Sequence, residues 1–501
     1  MPTRTSRARQ RWLGLAVLTL PVVLTSMDIT ILHIAIPTIT AELAPSPSQT
    51  LWILDVYGFL LAGLLIVMGN LGDRIGRRRL LLLGSGLFGA ASVLAAFAAT
   101  PEVLIAARAL MGIGGATLMP STLSLIRTMF PDPRERTRAI GIWTASLSGG
   151  IALGPIVGGV LLESLWWGSV FLINVPAVVA LVALAPRLVP EYRGAVAAPL
   201  DLWSVTLSFA MILPVVWSVK AVAEKGALGP APVGALAVGL LFGAVFLARQ
   251  RRLSTPLVEL RLFTHPRFTG AILGAGLAMF SLVGVMLYNA QYLQLVHGLS
   301  PLAAAVALLP VMAGVGVMSV VSSVLVGRLG YAVVFGVGSL VAAGGMLALS
   351  RAPVGDGLVL AVVAAGVIGA GIAPMMTLAT DVVVASVPAS RAGAASALSE
   401  TAAEFGAALG IAVLGSIGTA LYRSRVLDGV PGDIPAEGAE TVGSSLGAAL
   451  GVAERLPVQT AAELSDLARA AFVDGLSAAT VTAAVVLVVA AIVCPLLLRR
   501  S

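Results

Sequence analysis

The sequence predicts an all-α polytopic membrane protein with 14 transmembrane helices (6 + 2 + 6): two pseudo-symmetric six-helix bundles, a two-helix insert between them, and both termini cytoplasmic. Three observations carry this reading: a composition too apolar for a soluble domain, apolar runs of membrane-spanning length along the whole chain, and a self-similarity between its halves. Of 501 residues, 58% are hydrophobic and 11% charged, with mean hydropathy +1.00, against roughly 25% charged residues in an ordinary soluble domain. A soluble enzyme and a disordered protein are both excluded.

A membrane-crossing helix needs ~20 apolar residues. Such runs fall at 12–36, 50–70, 80–98, 102–126, 138–162, 167–187, 201–221, 230–248, 267–295, 302–327, 331–350, 357–386, 392–420 and 475–498. The first follows a basic start (Arg4, Arg7, Arg9, Arg11) and has no small-residue cleavage site, so it reads as a retained helix. With the N-terminus inside, 23 basic residues lie inside and only Lys220, Lys225 and Arg351 lie in short outer loops. That bias orients the chain. Arg423, Arg425, Arg455 and Arg469 fall in segment 421–473, which is long enough to cross regardless of charge. All but two of the 31 basic residues are Arg, placed at the ends of apolar runs, so the net charge of +7 marks membrane orientation and not nucleic-acid binding.

Shifting the sequence by 257 lays Gly112, Gly114, Pro131 and Arg134 on Gly369, Gly371, Pro388 and Arg391. A shift of 258 lays Gly69, Leu71 and Gly72 on Gly327, Leu329 and Gly330. Six helices need fewer residues than this shift, so two extra helices separate the halves. The domains are therefore read as 1–190, a six-helix bundle; 191–262, the insert; and 263–501, a second six-helix bundle carrying the long extracytoplasmic loop 421–473. Paired bundles suit alternating access about a midplane site.

A single cysteine, Cys494, and three scattered histidines give no metal cluster. Neither lysine lies in a phosphate-binding G-x-x-x-x-G-K-[ST] loop. No cofactor is expected, and any pumping must draw on an ion gradient or on a separate subunit.

The loop after the second run, Gly69-Asn-Leu-Gly-Asp73-Arg74-Ile-Gly76-Arg77-Arg78-Arg79, combines a tight glycine turn with an acid among guanidinium groups able to latch one conformation. It also fits a plain positive-inside loop. Its second-half copy has Tyr331 and Ala332 in place of the Asp and Arg, so such a latch would be asymmetric. Arg108, about six residues inside the fourth run, is costly in the apolar layer unless paired, wet or snorkelling outward. In the fifth run, Gly150, Gly154, Gly158 and Gly159 permit close helix approach and Pro155 bends the rod.

Acids inside the apolar runs are the strongest chemical signal. They are Asp28, Asp55, and the pair Glu400 and Glu404, four apart and so on one face. Burial favours a neutral carboxyl, and a neighbouring arginine or bound cation favours the charged one. Such an acid can exchange a proton for a cation, or can simply hydrogen-bond a neighbouring helix. Asp381 reads as a boundary residue. Met27, Trp52, Tyr57, Trp143, Tyr288 and Phe405 could line a pliable cavity by apolar contact and cation–π attraction, or face lipid and core. Asn289 and Gln291 could line the path or mark the interface.

On these residues the chain resembles the major facilitator superfamily. The loop from Gly69 to Arg78 matches its signature G-x-L-a-D-r-x-G-r-[kr], and Arg108-Ala-Leu-Met-Gly112-Ile-Gly114 resembles its fourth-helix pattern. Gly150-Ile-Ala-Leu-Gly154-Pro155-Ile-Val-Gly158-Gly159 resembles its antiporter motif. The stretches Met27–Pro37, Leu51–Tyr57 and Ala392–Thr401 resemble the fourteen-helix drug:proton antiporters, the group of QacA and LfrA. The resemblance implies a multidrug efflux pump of the bacterial cytoplasmic membrane, monomeric, exporting lipophilic and mainly cationic compounds. It implies proton coupling by Asp28, Asp55, Arg108, Glu400 and Glu404. It implies a drug site at Asp28, Met27, Trp52, Tyr57, Trp143, Tyr288, Asn289, Gln291, Glu400, Glu404 and Phe405, and gating by the loop and fifth-helix residues. Some relatives carry an acid in helix ten where this chain has Val315, so divalent drugs are expected to be poorer substrates. Export of an endogenous amphipath, solute uptake and a non-transporting sensor are the alternatives.

Overall fold

The computed structural model describes residues 4–193, 201–225, 229–253, 256, 260–385, 392–430 and 436–499; some side chains within them, that of Glu400 included, lie outside the described residues. The described residues form long helices and no strand. In order they are α1 (Arg4–Leu43), α2 (Pro47–Ile75), α3 (Arg77–Ala96), α4 (Pro101–Met129), α5 (Pro133–Ser164), α6 (Asn174–Leu188), α7 (Leu202–Lys225) and α8 (Pro230–Arg252). There follow α9 (Pro266–Gln291), α10 (Leu309–Leu329), α11 (Tyr331–Leu349), α12 (Leu358–Ala385), α13 (Ala392–Gly429) and α14 (Val458–Arg499). Local chemistry sets several ends. Thr100 and Ser300 each cap a helix that opens on proline, accepting from Val103 N–H and Ala303 N–H.

Among the described residues, twelve helical stretches are long and apolar enough to cross a membrane. Within α5 and α7 the apolar stretches among the described side chains are Gly149–Ser164 and Leu202–Ser218.

Segment 421–473, expected as a loop, is largely helical. Helix α13 continues to Gly429, two short helices follow at Ala436–Val442 and Leu446–Ala453, and α14 begins at Val458. Val442, Leu446 and Ala449 are buried in one cluster with Leu464, Ala468 and Phe472, and Tyr422 donates its hydroxyl to Val442 O at 2.9 Å. The described residues of the segment are thus folded, with apolar contacts of their own.

By internal contacts the chain divides into two compact units, Met1–Ala35 with Val56–Val205, and Ile36–Asp55 with Thr206–Ser501. The first has a core of Leu15, Leu18, Leu81, Leu125, Ile126, Phe130 and Leu181. The second is centred on Phe268, Phe335, Met346, Ile368, Leu414 and Leu487. Lipid is as apolar as leucine, so close packing and buried polar contacts, not exclusion from water, hold such helices together.

Candidate functional site

The first unit holds a buried ion pair between two of its helices. Asp28 on α1 is 2% exposed and Arg108 on α4 is 1% exposed, and Arg108 Nη1 donates to Asp28 Oδ2. The other oxygen, Asp28 Oδ1, is buried without a hydrogen bond among the described residues. The Arg108 guanidinium also lies 4.5 Å from the centre of the Tyr57 ring on α2, a cation–π distance. His33, buried further along α1, feels the Arg108 charge. Its signal in the sequence was a lone polar side chain in an apolar run.

Glycines bring Arg108 to this position. A Cβ at Gly112 would sit 2.7 Å from the Tyr57 carbonyl oxygen, and one at Gly114 would sit 2.8 Å from the Gly84 carbonyl oxygen of α3. Two residues apart, they face different neighbours and wedge α4 between α2 and α3. The α5 stripe does the same for α1. A Cβ at Gly150 would sit 2.7 Å from Val23 O, one at Gly154 2.9 Å from Met27 O, and one at Gly158 2.5 Å from Ile31 Cγ1. Across this contact Thr30 donates its hydroxyl to Ile151 O at 3.1 Å. Pro155 lies inside α5 and Gly159 is buried. The stripe thus packs on the α1 segment that carries Met27 and Asp28. Trp143 is half-buried, and its indole donates to Thr122 Oγ1 at 3.1 Å.

The loop between α2 and α3 is tied down by two acids. Asp73 accepts from Arg77 Nε at 2.8 Å and lies 2.7 Å from Nη2. Arg74 is exposed. Gly76 has φ +113°, and a Cβ there would lie 2.6 Å from the Glu191 carboxylate. Glu191 accepts from Arg78 N–H at 2.9 Å, capping the start of α3, with Arg78 Nε and Arg79 Nε each at 3.9 Å. Arg78 Nη1 donates to Val189 O at 2.9 Å. Gly69 is more open, its nearest neighbour being Pro120 Cβ at 3.9 Å from a Cβ built there. Sequence reasoning missed Glu191; the acid in Pro190-Glu-Tyr-Arg193, just past the sixth run, was its only signal.

The remaining site residues belong to the second unit. Asp55 is buried and Trp52 half-buried. Tyr288 donates to Gly415 O at 2.8 Å and its ring lies 5.7 Å from Phe472. Tyr288 and Gln291 line a narrow cleft of about 50 Å³ with Leu51, Thr419, Tyr422 and Ser445, far below the roughly 300–1,000 Å³ of a drug-sized pocket. Asn289 is fully buried, and neither end of its amide is hydrogen-bonded among the described residues. Glu404 and Phe405 are half-buried on α13, whereas the side chain of Glu400 lies outside the described residues. Among the described residues no group of His, Cys, Asp and Glu is placed to hold a metal.

A family model described as the Major Facilitator Superfamily matches residues 18–411. The chain is 45% identical over its whole length, and over 98% of the relative, to the multidrug efflux pump LfrA of Mycolicibacterium smegmatis. It is 38% identical to the methyl viologen resistance protein SmvA of Salmonella typhimurium, over 96% of this chain and 97% of that one. Among solved structures, a bacterial homologue of the human lysosomal transporter Spinster, inward-facing and unoccupied, superposes with TM-score 0.68 at 20% identity, over 98% of this chain and 97% of that one.

Proposed function

The chain belongs to the Major Facilitator Superfamily, and from that membership we propose that it is a proton-coupled multidrug antiporter working by alternating access. It is a multi-pass membrane transporter whose relatives are drug-efflux pumps. In our reading fourteen helices span the bacterial cytoplasmic membrane with both termini inside. A monomer exports lipophilic, mainly cationic compounds such as quaternary ammonium antiseptics, dyes and antibiotics. The proton gradient is the energy source, and no cofactor takes part.

The observation that carries this reading is the buried Asp28–Arg108 pair. A carboxylate out of water needs a positive partner or a proton. Arg108 supplies the first, while Asp28 Oδ1 keeps a lone-pair face with no hydrogen bond among the described residues. A proton or an organic cation arriving at that face competes with the other, so each expels the other by linkage. The drug is accepted by deprotonated Asp28 from the inside. It is released outside when Asp28 and one of Glu400 or Glu404 take up protons, which the return step carries in. A charge crossing the membrane potential is worth about 2.3 kcal/mol per 100 mV, so drug valence sets part of the driving force. Asp55 takes part in proton transfer, and the Asp73 loop with the α5 glycines controls the change of state.

Ethidium efflux from proteoliposomes under an imposed pH gradient tests the reading. Asp28→Asn is expected to abolish uphill efflux, and Glu404→Gln to shift its pH profile. Uphill efflux at an unchanged rate after neutral replacement of Asp28, Asp55, Glu400 and Glu404 together would overturn it. With no acid over 302–327, ethidium should be moved faster than the dication methyl viologen, the compound that names a relative.

A further inference from the structure

The arginine-rich end of the first unit holds a groove of about 780 Å³ to which the transport reading assigns no ligand. Gln10 and Arg11 of α1, Arg78 of α3, Thr128 of α4, and Arg187 and Leu188 at the end of α6 line it. Gln10 donates to Arg187 O at 3.1 Å, pinning α1 to α6 beside it. The acids nearby are already engaged. Glu135 lies 3.2 Å from Arg11, and Glu191 sits between Arg78 and Arg79. Arg187 is exposed and its guanidinium has no acidic partner among the described residues. The groove therefore keeps an excess of positive charge.

Apolar surface continues from this charge. Leu184 and Val179, three and eight residues before Arg187 and so on its face of α6, are 41% and 61% exposed, and Leu13, three residues after Gln10 on α1, is 48% exposed. A ligand matching both features carries a negative head and hydrocarbon tails. We propose that this groove binds the phosphodiester headgroup of an anionic phospholipid, with an acyl chain lying along the α1–α6 face. A basic groove between helix ends at the charged interface is where such a headgroup gains most from arginine. A soluble phosphate would use the same guanidiniums but would leave Leu13, Leu184 and Val179 unused.

The test uses the full-length protein, delipidated in detergent and offered equal amounts of phosphatidylglycerol and phosphatidylcholine, with bound lipid counted by native mass spectrometry. The wild type is expected to retain phosphatidylglycerol preferentially. Arg187→Gln should cut that retention about fivefold, the effect of one arginine near an anionic surface, while Arg187→Lys keeps the preference. Thermal melting confirms that each variant is folded. If a variant does not fold, the wild-type preference and its competition with millimolar inorganic phosphate decide alone. Equal retention of the two lipids, retention unaltered in folded Arg187→Gln, or displacement of the lipid by inorganic phosphate would each overturn the proposal, the last identifying a soluble phosphate as occupant.

Discussion

In the first half of the chain the carbonyls of Val23 and Met27 face Gly150 and Gly154; in the second, those of Gly276 and Phe280 face Gly406 and Gly410. Both are parallel helix pairs, α1 with α5 and α9 with α13, and the first helices correspond at a displacement of 253 residues. The fourth helix repeats the scheme. Gly112 and Gly114 face the carbonyls of Tyr57 and Gly84, and Gly369 and Gly371 face those of Val311 and Gly338. These registers name the counterparts of the ion-pair site: Ser281 stands for Asp28, Ala365 for Arg108 and Val311 for Tyr57. The duplication has kept the backbone contacts that only glycine permits and has kept none of the charge. Packing is a property of both halves, and the Asp28–Arg108 chemistry of one.

The sharpest test of that difference is to remove charge at the paired positions. Asp28→Leu leaves Arg108 buried without its carboxylate and is expected to destabilise the protein by about 3–5 kcal/mol, whereas Asp28→Leu with Arg108→Leu recovers most of that loss. Ser281→Ala removes a buried hydroxyl that makes no hydrogen bond among the described residues, so it should change stability by no more than about 0.5 kcal/mol. Unfolding in detergent, followed by circular dichroism, measures all three. A Ser281→Ala loss as large as that of Asp28→Leu would break the comparison.

The shared packing is tested by adding a methyl group on each side. Gly154→Ala and Gly410→Ala should each cost about 1–3 kcal/mol as overpacking at a helix contact. The second should cost more. At Gly154 the nearest atom is the Thr30 hydroxyl, which can rotate away at the expense of its bond to Ile151 O, but at Gly410 it is the Phe280 carbonyl oxygen, which belongs to the backbone. Equal melting temperatures for the two variants would show that the α1–α5 contact is as rigid as α9–α13.

Gly76 and Gly330 extend the comparison to the loops. Both precede a helix with positive φ, +113° and +79°, a conformation that costs other residues about 1–3 kcal/mol. A Cβ at Gly76 would also strike Glu191, while at Gly330 it would meet nothing within 4 Å. Gly76→Ala should therefore be the more destabilising of the two, and Glu191→Ala should remove most of the difference. A difference that survives Glu191→Ala would assign it to backbone strain alone.

Periodic features of this fold were legible in the sequence. Each apolar run overlaps a long helix, and the spacing R-x-x-x-G-x-G already held the two glycines that wedge α4 against α2 and α3. Partners distant along the chain were not legible. Nothing near Gly76 names Glu191, whose carboxylate arrives from more than a hundred residues away, and Tyr57 reads as one of several aromatics until Arg108 is found over its ring. Segment 421–473 reads as loop because its acids and glycines break the apolar period. Its two inner helices are short, and among the described residues they bury Val442, Leu446, Gly447, Ala449 and Ala453.

The smallest expected effect lies where the first helices of the two halves end. Ala44 and Gly298 both take positive φ, 45° and 67°, 254 residues apart, one more than along the helices because α9 runs on through a π-helical turn, Tyr292–Val296, so at this end His297 stands where α1 has Leu43. The His297 ring lies 4.8 Å from that of Tyr292, and its Nε2 is buried without a hydrogen bond among the described residues. Burial lowers its pKa below the ordinary 6.5, against an opposing pull from Asp356. The folded state thus prefers the neutral ring. By linkage this contribution to stability is fully present above pH 6.5 and is lost as pH falls from there through the lower folded-state value. Melting temperature measured against pH should show a shallow decline over that range, and His297→Leu, which restores the residue of the first half, should flatten it. A decline of the same depth in His297→Leu would move the titration to another group and remove this difference between the two helix ends.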